Sequence, residues 1–152
     1  TILPTLLHPK SRGTVSLSSS DPKDAPIIQP NFLEEKEDLD QLVKGGELVY
    51  KLMKDEALRK HTLRDRLPFD RNSQDSLIKH IKKTLETVYH PVGTCKMGVD
   101  SMAVVDPMLK VHGISNLRVV DASIMPLIVS GNTNAPVYMI AEKASDMILN
   151  NF

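Results

Sequence analysis

What this chain lacks narrows its possible roles first. Its 152 residues contain one cysteine, Cys95, and no tryptophan. A single thiol excludes an internal disulfide and the Cys-rich zinc sites, and does not by itself fix a compartment. The five histidines show no HxH or HExxH spacing, which argues against a metal site. Aromatic residues are only 4% of the chain, so aliphatics and methionine must build most of any core. Neither charge dominates: 19 Lys and Arg stand against 19 Asp and Glu, without a basic stripe, so no nucleic-acid partner is expected. The apolar runs fall far short of the roughly 20 residues that a membrane-spanning helix needs. No charged-then-apolar signal segment opens the chain. A GxGxxG phosphate-binding fingerprint is missing as well.

What is present suffices for one ordinary domain with a sizeable core. Val15 and Leu17 alternate with Thr14, Ser16 and Ser18, which predicts a strand with one buried face. Ile27 to Leu33 reads as a short extended piece, because Pro30 pushes its predecessor towards β or polyproline geometry. From Glu34 the pattern turns helical. Leu39, Leu42, Val43, Val49, Tyr50 and Met53 form one apolar face. Glu34, Glu35, Glu37 and Asp38 crowd the helix start and read as a solvated face favoured by the dipole. Gly45-Gly46 inside this helix costs about 1 kcal/mol per glycine, so it marks either a kink or a close approach. Leu58 to Arg71 reads as a loop or a short turn of helix. A second amphipathic helix starts near Ser73 as N-cap, carries His80 among exposed lysines, and ends near Tyr89 before Pro91. Short strands are predicted at Ala103–Val105 and Leu117–Val120, and a last helix with Pro136 in its first turn. With no repeat or low-complexity linker, the pattern suggests one compact unit.

Chemistry concentrates between Tyr89 and Pro136. His90 precedes proline, so it lies on a loop beside Gly93, whose missing side chain lets another group approach the backbone. An imidazole titrates near neutrality and is the commonest general base; equally, a lone loop histidine serves many structural roles. Asp121 ends an apolar run, where ligands of open parallel sheets bind, or it caps the following turn. Gly131-Asn132-Thr133-Asn134-Ala135-Pro136 leads into the last helix with Thr133 or Asn134 as cap. A helix start offers free N–H groups to an electron-rich ligand, and Asn132 lies just before it. Ordinary capping accounts for the same residues. Cys95, close to His90, is read as a small hydrophobe rather than a nucleophile.

Four blocks in fixed order resemble the glucose–methanol–choline (GMC) family of flavin-dependent alcohol oxidoreductases, in its C-terminal region and particularly in its insect glucose dehydrogenase-like members. They are His90-Pro91-Val92-Gly93-Thr94-Cys95-Lys96-Met97-Gly98, Val104-Val105-Asp106-Pro107, Leu117 to Pro126, and Ser130 to Pro136. Pro9-Lys10-Ser11-Arg12-Gly13 with Val15 and Leu17 adds the look of a substrate-domain strand. The resemblance implies an α+β / α/β fold: an antiparallel substrate-domain sheet with flanking helices, plus the last strand and helix of an FAD-binding Rossmann-like domain. It implies substrate-domain residues at 1–88, and at 89–152 the active-site loop and the return to the FAD domain.

It also implies roles. His90 would be the active-site base and Asn132 its partner. Tyr89, His90, Asp121, Ala122, Asn132 and Thr133 would contact FAD. His90 would take the hydroxyl proton of an alcohol or sugar while hydride passes to flavin N5, and Asn132 would orient the substrate oxygen. A quinone or oxygen would then accept the electrons. Since the fingerprint for FAD is missing, the chain is expected to be a C-terminal piece that binds FAD weakly or not at all by itself. Two alternatives stay open: an FAD-containing hydroxynitrile lyase of the same family, and a truncated, non-catalytic α+β module. Residues alone leave the location unknown; family analogy points to secretion.

Overall fold

The acidic start of the first long helix is not simply a solvated face. In the computed structural model, which describes residues 2–62, 64 and 67–150, helix α1 spans Lys36–Met53 and buries Asp38 to 2% exposure. Asp38 accepts hydrogen bonds from the Lys10 and Ser11 backbone N–H groups at 2.8 and 2.7 Å, and from the Ser11 hydroxyl. Ser11 Oγ in turn accepts from Glu35 N–H. Glu35, the N-cap, makes no side-chain cap of its own, so Ser11 caps the helix from a distant part of the sequence. Burial alone pushes the Asp38 carboxyl up; the Lys10 and Ser11 hydrogen bonds and the nearby Arg12 charge outweigh it, and the group sits below the ordinary carboxylate range.

The chain divides into two compact units rather than the single one expected. The first comprises Thr1–Thr14 and Ile27–Glu86, the second Val15–Pro26 and Thr87–Phe152. Strands β1 (Thr14–Ser16) and β2 (Ile27–Gln29) pair as a two-stranded antiparallel sheet. Every residue of both strands is exposed, so the predicted buried face of β1 is absent. A sheet of two strands supplies no layer of its own to cover either face.

In the first unit, Leu42 and Val43 are the buried residues of the predicted α1 face. Gly45 and Gly46 lie within the helix and mark close approaches. A Cβ on Gly46 would stand 3.1 Å from Leu77 Cδ1, and one on Gly45 2.9 Å from Pro4 Cβ. The short helix α2 (Glu56–Arg59) is capped by Asp55. Of the irregular stretch predicted for 58–71, Leu63, Asp65 and Arg66 lie outside the described residues. Helix α3 runs Gln74–Thr84, with the Ser73 hydroxyl accepting from Ser76 N–H. It ends earlier than predicted, since Leu85 is already extended. His80 is half-buried rather than exposed, stacked on Phe69 with ring centroids 4.4 Å apart.

In the second unit, Val105, Leu109, Ile124 and Ala144 form the core, with Met97, Val104, Val111, Val119, Ile140 and Met147 packed against it. The strands predicted at 103–105 and 117–120 are single bridges instead: Met97 with Val105, Val105 with Val111, and Lys110 with Arg118. Leu117 and Val120 are exposed, so the apolar run does not mark a strand buried on both faces. Asp106 Oδ1 accepts from Met108 and Lys110 N–H, closing the turn that carries Leu109 inward. A 3-10 turn, Ala122–Ile124, and helix α4, Asn134–Leu149, complete this unit.

Candidate active site

Tertiary contacts join three of the sequence blocks inside the second unit. The loop after His90 lies along the 3-10 turn: Cys95 N–H donates to Ser123 O at 3.0 Å and Met97 N–H to Ile124 O at 2.8 Å. Gly93 has φ +90°, which strains any residue with a side chain. Its Cβ position faces the Met125 carbonyl at 3.4 Å, so this glycine serves the turn itself. The other end of the loop meets α4, where His90 Nδ1 and Thr133 Oγ1 lie 2.8 Å apart.

That contact explains an oddity at the start of α4. Thr133 is its N-cap and is 7% exposed, yet its hydroxyl makes no capping bond. A cap normally accepts from the second or third N–H of the helix. Here the third helical residue is Pro136, which has no N–H. The hydroxyl goes to His90 instead. The predicted choice of Thr133 or Asn134 as cap is thus met in position and not in bonding.

His90 is delivered by a tight turn. His90 N–H donates to Thr87 O, and Tyr89 N–H to Thr87 Oγ1. The two central residues, Val88 and Tyr89, have φ of 52° and 63°. Positive φ at both central positions is the type I′ requirement, normally met by Asn-Gly. For a β-branched and an aromatic residue the geometry is strained, by about 1–3 kcal/mol each. Tyr89 is 87% exposed, so its ring returns little packing within the chain. Tyr89→Gly is therefore expected to raise stability by about 1 kcal/mol, read as a higher urea midpoint with an unchanged slope. A lower midpoint would show that the turn is not strained at this residue.

The other expected site residues are placed as follows. Asn132 is exposed beside Thr133. Asp121 is exposed and its carboxylate accepts from Ser123 N–H and Ser123 Oγ, which is the turn-capping arrangement. Ala122 is half-buried in the 3-10 turn. Around Gly131 there is open space, with no described heavy atom within 4 Å of a Cβ position. Among the described residues no cluster of His, Cys, Asp or Glu is arranged to hold a metal. No described helix is long and apolar enough to cross a membrane. The assembly can bring an oriented imidazole and a carboxamide to one helix start, whose first N–H groups have no intrahelical partner. That set suits an electron-rich, planar ligand flanked by a polar substrate.

Residues 9–141 match the GMC oxidoreductase family. The chain belongs to that family. GMC oxidoreductases are FAD-dependent flavoenzymes. The chain is 46% identical over 144 residues to alcohol dehydrogenase [acceptor] of Pseudomonas putida, covering 94% of itself and 26% of that protein. It is 45% identical over 139 residues to oxygen-dependent choline dehydrogenase of Pseudomonas savastanoi pv. phaseolicola, covering 91% and 24%. Among solved GMC structures, pyridoxine 4-oxidase from Mesorbium loti superposes with a TM-score of 0.84 at 36% identity, over 93% of this chain and 28% of that one. Formate oxidase of Aspergillus oryzae gives 0.87 at 34%, over 96% and 26%. The chain thus spans about a quarter of the length of these GMC relatives.

The part of the site that sequence reasoning missed is the job of the Thr133 hydroxyl. Its signal was available: Pro136 three residues on removes one of the two N–H groups that a capping threonine would serve.

Proposed function

We propose that these residues supply the catalytic base and part of the flavin-facing wall of an FAD-dependent alcohol oxidoreductase. The observation that supports this most is the His90–Thr133 hydrogen bond, which joins the histidine loop to the Asn132-bearing start of α4. In this reading 1–88 belong to the substrate domain, while 89–152 form the active-site loop and return to a Rossmann-like FAD domain. Tyr89, Asn132 and the α4 start, with Asp121 and Ala122 at the start of the 3-10 turn, would hold the cofactor. The α4 start, the exposed Tyr89 ring and the open space at Gly131 fit a large planar group. Bound FAD supplies the two-electron acceptor.

His90 takes the proton from the substrate hydroxyl, making the adjoining C–H bond a better hydride donor. Asn132 donates its amide N–H to the same oxygen and holds the carbon in line for transfer. As to substrate, the relatives named above act on an alcohol, choline, pyridoxine or formate. A small non-sugar primary alcohol is therefore the proposed class, narrower than the alcohol or sugar that the sequence left open, with oxygen or a quinone as final acceptor.

An anaerobic panel of alcohols, choline and glucose, scored by loss of the oxidised-flavin absorbance in an FAD-loaded protein carrying these residues, tests the reading. Bleaching by at least one small alcohol, and little by glucose, is expected. Cleavage of a cyanohydrin to aldehyde and cyanide with unbleached flavin would identify a lyase instead. A panel that stays silent with FAD bound would leave only the non-catalytic module.

A further inference from the structure

His90 has two ring nitrogens, and only an unprotonated one can act as base. Which nitrogen carries the proton in the neutral ring is set by the partner of the other. The structure places the Thr133 hydroxyl 2.8 Å from Nδ1. This hydroxyl is nearly buried, sits on the first residue before a helix of 16 residues, and is relieved of full capping duty by Pro136. Its position is therefore as fixed as the helix axis, unlike a group on a free loop. The Thr87–His90 turn sets the backbone that carries the imidazole.

We propose that Thr133 is a positioning residue for the proton-transfer step. Its Oγ1 accepts the Nδ1–H of His90 and holds the neutral ring in the Nδ1–H tautomer, which leaves Nε2 with the lone pair that receives the alcohol proton. When the O–H bond of the substrate breaks, its proton forms the Nε2–H bond and the ring becomes imidazolium. The Thr133 oxygen still accepts from Nδ1–H in that state, so no reorganisation accompanies the transfer. With FAD bound, the electron pair of the substrate C–H bond would leave with the hydride to that cofactor, giving the carbonyl product. The inference rests on the oxidoreductase reading and gives Thr133 a role through His90 in place of the direct flavin contact expected from sequence.

The tautomer can be read without any turnover. In the chain labelled with ¹⁵N-histidine, neutral His90, identified by the signals that vanish in His90→Gln, is expected to show Nδ1 protonated and Nε2 bare. Thr133→Ser keeps this pattern, whereas Thr133→Val, which preserves shape without the oxygen, shifts His90 to the Nε2–H form or to a mixture. An Nε2–H or mixed pattern in the unsubstituted chain overturns the proposal whether or not the valine variant folds. So does an Nδ1–H pattern that persists in a folded Thr133→Val chain.

In the FAD-loaded protein, Thr133→Val should lower kcat by about 10–100-fold, the scale seen for partners that orient metal-binding imidazoles. KM should stay near its original value and Thr133→Ser should restore kcat. A valine variant with unchanged kcat also overturns the proposal. A failed alcohol panel with the Nδ1–H signature intact would instead strike at the oxidoreductase reading alone.

Discussion

Replacing His90 with alanine is expected to slow alcohol-driven flavin bleaching by about 10²–10⁴-fold, the usual worth of a positioned general base. The loss should fall on the rate of the bleaching step at saturating alcohol, because the imidazole acts on a bound hydroxyl. His90→Gln separates chemistry from architecture. Glutamine keeps a polar group within reach of Thr133 and preserves much of the loop, but it cannot take a proton near neutral pH. Both variants should therefore be slow, with oxidised-flavin spectra like the parent. Stopped-flow bleaching at the parent rate in either one would remove His90 from the chemistry. A variant that loses FAD altogether would point to a role in holding the cofactor. In that event the glutamine variant decides, since it leaves Pro91 to Gly98 and their bonds to the 3-10 turn undisturbed.

Asp38→Ala should be strongly destabilising, costing about 2–4 kcal/mol by urea unfolding. It strands the N–H groups of Lys10 and Ser11 and removes the anchor of the Ser11 hydroxyl that caps α1. Asp38→Asn should cost less but still more than a surface change, because its NH₂ must face a donor on one side. The pH dependence carries a definite sign. The folded pKa of Asp38 is depressed, so its contribution is fully present above the unfolded value of about 3.9. It is lost as pH falls through the lower folded value. The gap in stability between the parent and Asp38→Asn should thus be constant near neutrality and shrink on acidification below about pH 4. A gap that widens on acidification would show that the carboxyl is not held as the anion.

Local reading worked where a single element decides its own structure. The apolar spacing of α1, the Ser73 cap of α3 and the helix after Thr133 follow from periodicity and capping chemistry that neighbours in sequence supply. It failed where a partner far along the chain decides. Asp38 looks like any acidic residue of a helix start until Lys10 and Ser11 arrive from 28 and 27 residues away. Leu117–Val120 has strand composition, yet a strand requires an adjacent ladder, and only one bridge forms there. The left-handed Val88–Tyr89 turn contradicts the preferences of both residues, so no propensity argument could have found it.

By itself, the sequence determined which residue types the site holds and in what order: a loop histidine, an Asp-Ala turn, and an Asn-Thr pair before a proline-containing helix start. Those are matters of composition and near-neighbour spacing. Only the tertiary structure decided that His90 and Thr133, 43 residues apart, share a hydrogen bond, and that Asp121 turns back on Ser123. The reason is that a hydroxyl or carboxylate has several possible partners of similar strength. Which one it takes depends on the positions of packed elements, and these are set by the whole core rather than by the residues beside it.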